Sequence, residues 1–363
     1  MINTRLRRED QIQFFRFIAF VMIFLWHAKT WRIKYLPGDV GAQTGVYFFF
    51  LLTGVMASYS LALKEVSPTK ENIKDYLKRK LVRLYPLYFV TNLLTFLYNG
   101  GQGFVVSRSI KPMLALVGDF VLSSLMLQTW LLRPFACNSV GWYFATMMWL
   151  SIVNIPFSAW AKSKRNTNKP IIRMVCIIVL ALLYIAVIST LAGLIGLGDF
   201  GFMQTPLFCL GFHLIGLALG EIIIILKQSH PEWENQVKKY TIIEAISLLV
   251  WLVIIYTPGE MSFVPIMLGL FASMFLIIVF MLGYGKISVG LKAKPLVFLG
   301  DISFECYLLH QVIIMLYSQA NGWDSLGTLG NAYALTVCLA VTLCLAWVVS
   351  NVKLPFERKK CDE

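Results

Sequence analysis

The sequence predicts an all-α membrane protein, a polytopic bundle of about ten transmembrane helices with both termini cytoplasmic. Three observations carry that reading. Of the 363 residues, 58% are hydrophobic and 14% charged, where a soluble domain averages about 25% charged; mean hydropathy is +0.70. Apolar runs long enough to cross a bilayer, about 20 residues each, recur along the whole chain. The Lys and Arg excess, a formal net charge of +13, falls between those runs, where the positive-inside rule can order it. Such an excess belongs to cytoplasmic loops and gives no reason to invoke nucleic acid.

Taken in order, the apolar runs are 12–31, 45–63, 84–99, 113–131, 141–161, 171–195, 203–226, 241–257, 263–284, 296–319 and 332–352. The charges argue for ten spans among these. Arg5, Arg7 and Arg8 place the amino terminus inside, and so does the basic stretch 64–83 for the loop after the second span. If 113–131 crossed, Lys162, Lys164, Arg165 and Lys169 would lie outside. If it is re-entrant or surface-lying, every later basic group falls inside: Lys227, Lys238 and Lys239, then Lys286, Lys292 and Lys294, then the tail from Lys353. Asp119 and the Gly100-Gly101-Gln102-Gly103 lead-in suit a piece that does not span. A single membrane domain over 1–363 is expected. The first run lacks a small-residue cleavage site and is interrupted by Arg16, so it reads as a retained span. The seven cysteines show no CxxC pair and no metal spacing, and read as thiols packed in helices.

Four stretches could carry chemistry. In the first span, Arg16 and His27 are separated by ten residues, about three turns plus 20°. They therefore share one helix face, roughly 16 Å apart along the axis. Charged groups at that depth are costly and usually face a protein interior for a functional reason; a snorkelling arginine and a helix-bonded histidine are the structural alternative. The second span contains Val46-Tyr-Phe-Phe-Phe-Leu-Leu-Thr53-Gly54, which could be plain helix packing. The third opens with Arg79 and Arg83, four apart on one face. Paired guanidinium groups suit phosphates, and equally suit a positive-inside anchor on anionic lipid heads. Pro86 suggests a kink there. The ninth span begins Phe298-Leu-Gly-Asp301-Ile-Ser-Phe-Glu305-Cys-Tyr307-Leu-Leu-His310, with Asp301 and Glu305 one turn apart and a second intramembrane histidine. His213 reads as a satisfied helix–helix contact, His230 as solvated, and Trp142-Tyr143 as part of an outer aromatic belt.

Together these stretches resemble acyltransferase family 3 of integral membrane acyltransferases. Arg16 to His27 is similar to its R-x10-H signature, Tyr47–Gly54 to its FFxxSG motif, Arg79–Pro86 to its RxxR…YP segment, and Leu299–His310 to its LGxxSYxxYLxH segment. Thr53 replaces the usual serine, Glu305 stands where a small residue is common, and Gly141-Trp142-Tyr143 matches the W-x-L segment loosely. The resemblance implies transfer of an acyl group, usually acetyl, from cytoplasmic acyl-coenzyme A to a hydroxyl of a cell-surface or lipid-linked glycan at the bacterial inner membrane. The acyl-CoA is a co-substrate, with no tightly bound cofactor and no metal. Arg79 and Arg83 would then hold the donor's phosphates. His27 would be the general base or proton relay, with His310 the second candidate. Arg16 would orient the donor or stabilise developing negative charge. The competing class is a transporter or flippase using the same intramembrane charges, which paired broken helices in inverted repeats would favour.

Overall fold

The computed structural model describes residues 6, 8–28, 31, 36, 38–64, 66–107, 110–197, 201–257, 263–321 and 327–352. Arg5, Arg7, Cys361 and the tail from Lys353 lie outside them. Every regular element among the described residues is a helix. In chain order these are α1 (Ile12–His27), α2 (Asp39–Ala62), α3 (Lys70–Ser107), α4 (Ile110–Ser124) and α5 (Gly141–Leu150). A single 3-10 turn joins α5 to α6 (Asn154–Lys164), and α7 (Pro170–Leu194), α8 (Pro206–Ser229) and α9 (Val237–Ile255) follow. The last five are α10 (Phe263–Leu282), α11 (Lys286–Leu291), α12 (Lys294–Asp301), α13 (Ser303–Asn321) and α14 (Gly327–Asn351).

Among the described residues, seven helices are long and apolar enough to cross a membrane: α2, α3, the α5–α6 rod, α7, α8, α10 and α14. An eighth is broken, because α12 and α13 bend by 58° between Asp301 and Ser303. At 16 residues α1 is shorter, and α9 carries Lys238, Lys239 and Glu244. The chain is thus a multi-pass helical membrane protein.

The starts of the helices follow local chemistry. Pro170 and Pro206 stand in the first turns of α7 and α8, where no intrahelical N–H is needed. The Thr205 hydroxyl caps α8 by accepting from the Phe208 N–H at 3.1 Å. Apolar faces then divide the helices into inner and outer sets. α2 and α8 are mostly buried, while α7 and α14 leave Ile172, Val179, Leu183, Val187, Val341 and Leu345 exposed, as suits lipid contact.

Glycine decides how closely the inner helices meet. A Cβ on Gly216 of α8 would lie 2.2 Å from the Leu51 carbonyl oxygen of α2, and one on Gly54 would lie 2.5 Å from the His213 carbonyl oxygen. Gly54 is therefore a packing residue, as its type suggests. On one side of α1, a Cβ on Gly45 of α2 would lie 2.9 Å from the Ala19 carbonyl oxygen, and on the other, a Cβ on Gly300 would meet the Gln13 carbonyl at 2.1 Å. These approaches fix α1, and with it Arg16, between α2 and α12.

The 113–140 region has an unusual course. Gly100 lies against Leu116, Phe96 packs on Phe120 at 4.8 Å, and the Tyr85 and Tyr88 hydroxyls donate to the Ser124 and Ser123 carbonyls. α4 therefore runs back down α3 and stops at the level of Tyr85. After an irregular stretch, α5 starts beside the same Tyr88. The descent continues through Ser151 at Lys80 and Asn154 at Tyr76. α4 and the α5–α6 rod thus follow α3 downward in two pieces. Within the irregular stretch the Asn138 backbone N–H donates to Asn92 Oδ1 at 3.1 Å and its side-chain amide donates to the Leu308 carbonyl at 3.0 Å, while Gln128 Oε1 and Thr129 Oγ1 are buried with no hydrogen-bond partner among the described residues.

Two expectations are corrected. Trp142 and Tyr143 are buried inside the bundle, because α5 begins at the level of Tyr88. They form no outer belt. Asp301 and Glu305 do not share one continuous helix face, because the chain breaks at Ile302 between them. α3, for its part, stays helical on both sides of Pro86. His213 makes the helix–helix contact expected of it, to Asn154 Oδ1 at 2.6 Å. His230 stays partly exposed, bonded to Glu232 and stacked on Trp233. Lys227 lies buried in the last turn of α8, paired with Glu9. Glu221, a buried acid in α8, receives both arms of the Arg165 guanidinium at 2.8 and 3.0 Å.

Candidate active site

A cavity of about 510 Å³ lies among α1, α2, α3, α5 and the α12–α13 bend. Its length can be read along α2, which lines it from Leu61 through Ala57 and Thr53 to Phe49. Twelve residues of α-helix put those ends about 18 Å apart. Near the Leu61 end stand Lys64, Tyr76, Arg79, Lys80 and Arg83. Near the Phe49 end stand Arg16, Thr53, Tyr143, Glu305 and Tyr307.

The two ends differ in chemistry. At the first, Arg79 and Arg83 are exposed on α3, as their spacing of four residues places them on one face. Lys80 is drawn inward, and its Nζ donates to Ser151 Oγ at 2.6 Å. The neighbouring wall is a polar chain in which Asn154 donates to the Tyr76 hydroxyl at 3.0 Å and receives His213.

At the deep end, Arg16 donates to Gln13 Oε1 at 2.8 Å, with Tyr143, Asp301, Glu305 and Arg83 within electrostatic range. The Thr53 hydroxyl donates to the Phe49 carbonyl and meets the Tyr143 hydroxyl, each at 2.8 Å. Tyr307 donates to the Val140 carbonyl at 2.9 Å, so its ring is held from the α5 side. Asp301 is engaged by Arg8 at 2.9 Å. Glu305 keeps a buried carboxylate oxygen that accepts no hydrogen bond among the described residues.

The histidines lie beyond this end. Three turns past Arg16, His27 meets His310, with ring centroids 5.1 Å apart. Neither lines the cavity. Phe20, Phe24 and Tyr307 pack around His310 at 5.7, 6.2 and 5.8 Å. The His310 Nδ1 lies 2.7 Å from the Tyr307 carbonyl. A carbonyl can only accept, so Nδ1 carries the proton and Nε2 presents its lone pair. That Nε2 is buried without a hydrogen-bond partner among the described residues. A basic nitrogen held in one tautomer, beside a second imidazole, can take a proton from a hydroxyl.

The structure thus brings Arg16, Arg79 and Arg83 to one cavity and His27 and His310 to one pair behind it. Reading the sequence alone missed Lys80, counted there only as a topological charge, and Tyr143, assigned to a belt. Lys80 stands between the two arginines in sequence, which was the available signal; nothing local distinguishes Tyr143 from a belt tyrosine.

Among curated proteins and solved structures none matches this chain. The acyltransferase domain that defines acyltransferase family 3 does match, over residues 9–351. That range takes in every helix from α1 to α14 and both parts of the site, so the chain belongs to acyltransferase family 3.

Proposed function

We propose that the protein is an O-acyltransferase that moves an acyl group, acetyl in the simplest case, from acyl-coenzyme A to a hydroxyl of a cell-surface or lipid-linked glycan. The observation that carries this reading is the polarity of the site along α1 and α2. A cationic cavity end suited to phosphates leads inward to a guanidinium and two hydroxyls, and the histidine pair stands one turn further along α13.

In this reading the donor's phosphates rest on Arg79 and Arg83, gripped by planar guanidinium forks. Its acyl-bearing arm passes the deep end, where Arg16 orients the donor, so that the thioester lies on the histidine side of that guanidinium. His27, with His310 held beside it, accepts the proton of the attacking hydroxyl. The thioester carbon bonds to that oxygen and the carbon–sulfur bond breaks. The thiolate of coenzyme A leaves with the proton passed on by the imidazole.

Charge placement supports ten spans with both termini cytoplasmic, counting α1, α9 and the α12–α13 pair and treating α4 as a segment that does not cross by itself. The cavity's cationic end then faces the cytoplasm, where acyl-CoA is made, in a bacterial inner membrane. Mass spectrometry of surface polysaccharides from cells with and without the gene tests the reaction. Loss of an acyl substituent is expected, and an unchanged polysaccharide with altered lipid or metabolite distribution would favour a transporter. Cysteine labelling at Asn166 tests orientation, since an external Asn166 is incompatible with ten spans.

A further inference from the structure

The cavity holds a cation whose geometry differs from that of the arginine pair. Along α3, Arg83 lies about 40° round from Arg79, whereas Lys80 lies about 100° round. All three line the same cavity. The arginines are exposed, but Lys80 is half-buried against the α5–α6 rod. Its Nζ donates one hydrogen bond, to Ser151 Oγ at 2.6 Å. The Ser151 hydroxyl proton is committed to the Met147 carbonyl at 2.7 Å, so Ser151 can only accept from Lys80. An ammonium has three donors. No carboxylate lies within ion-pair distance of Lys80 among the described residues. A partly buried ammonium without an acid partner, on the wall of a cavity, is poised for an anion from outside the chain.

We infer that Lys80 forms a second anion subsite, separate from the Arg79–Arg83 grip, and that it takes the 3′-phosphate monoester of the coenzyme A ribose. This rests on the acyl-CoA reading above. Coenzyme A carries two separate anionic groups, a pyrophosphate and that monoester. Two guanidinium forks on one stripe match two adjoining phosphates. The cation off the stripe, a compact point charge, is left to face the other group. Ser151 positions it by occupying one donor and holding the stem to the wall.

The experiment is equilibrium binding of coenzyme A and of 3′-dephospho-coenzyme A to the full-length protein in nanodiscs, for wild type, Lys80→Met and Lys80→Arg. Wild type should prefer coenzyme A. Lys80→Met should weaken coenzyme A by roughly 10- to 100-fold, the range of a hydrogen bond to a charged group, and leave the dephospho form nearly unchanged. Lys80→Arg, which keeps the charge, should retain most of the preference, with size-exclusion profiles confirming fold. If Lys80→Met weakens both ligands alike, or neither, the assignment is wrong. It is also wrong if wild type does not distinguish them. Should wild type bind neither ligand, the acyl-CoA reading itself fails, an outcome separate from a wild type that binds both and a Lys80 variant that does not differ.

Discussion

The two ends of α1 present opposite environments. Around Arg16 the helix borders a cavity with five cationic side chains on its walls. Around His27 it borders His310, against which Phe20 and Phe24 of α1 and Tyr307 also pack. Large multivalent anions are best held where water can reach them and several donors converge. An imidazole base is best kept where a lone pair is unspent, as at the buried His310 Nε2, which has no hydrogen-bond partner among the described residues. Eleven residues on one helix meet both needs, because three turns keep the side chains on one face while separating them by about 16 Å. The lesson is that Arg16 and His27 cannot both touch one atom in this conformation. Binding and proton transfer should therefore separate in the kinetics.

The largest effect is expected at the histidine end. His27→Ala and His27→Gln should lower turnover by about 10²–10⁴-fold, the range for removing a general base. Affinity for coenzyme A should stay near wild type. His310→Gln should also lose turnover, because it removes the fixed Nε2 lone pair from the pair. Acyl transfer by purified, folded protein in nanodiscs, measured beside coenzyme A binding, reads both quantities. Affinity falling in step with turnover would erase the distinction between the two ends. A folded His27→Ala with near wild-type turnover would make His27 a packing residue and shift the base role to His310.

Much of this was legible before the fold was known, for identifiable reasons. Spans of about 20 apolar residues are a direct consequence of bilayer physics, so a helix lies in every predicted run, although α1 and α4 are shorter than a span and the run 296–319 is broken at Ile302. The common face of Arg16 and His27 follows from helical periodicity alone. Other features depend on tertiary contacts that periodicity does not encode. The break at Ile302 separates Asp301 from Glu305. The early start of α5 moves Tyr143 from a supposed interface to the cavity floor. Thr53 and Gly54, adjacent in sequence, divide their work, since Gly54 admits α8 while Thr53 faces the cavity. The nearness of His27 to His310 joins residues far apart in the chain, and no single-helix argument could supply it.

At the wet end the expected effects are smaller and of another kind. Changing Arg79 and Arg83 together to Ala should raise KM for acyl-CoA by about 10- to 100-fold, as lost charge-assisted hydrogen bonds imply. kcat should change by no more than a few-fold. Lys at both positions should rescue in part, because an ammonium lacks the planar fork. An unchanged KM would leave the arginines as lipid anchors and the cavity without its donor grip. Arg16→Lys, between the arginine pair and the histidine pair, should show an intermediate loss divided between KM and kcat.

The smallest effect sharpens the boundary between the ends, at the hydroxyl pair of Thr53 and Tyr143. Thr53 spends its proton on the Phe49 carbonyl, so across their 2.8 Å contact on the cavity floor Tyr143 donates and Thr53 Oγ1 accepts. Removing one partner leaves the other in a confined polar site with fewer partners, which costs about 1–3 kcal/mol when such a group is buried. Tyr143→Phe and Thr53→Val should each lower kcat/KM by roughly 5- to 10-fold, a modest share of that range felt at the reacting end. Thr53→Ser keeps the hydroxyl and should be close to neutral. The double variant discriminates between two roles. If the hydroxyls act as one bonded unit that shapes the floor, removing both should cost no more than removing either, because no stranded group remains. Multiplied losses in the double variant would mean that each hydroxyl contacts the acyl group independently, and the floor would then belong to the reacting end of the site, not to its boundary.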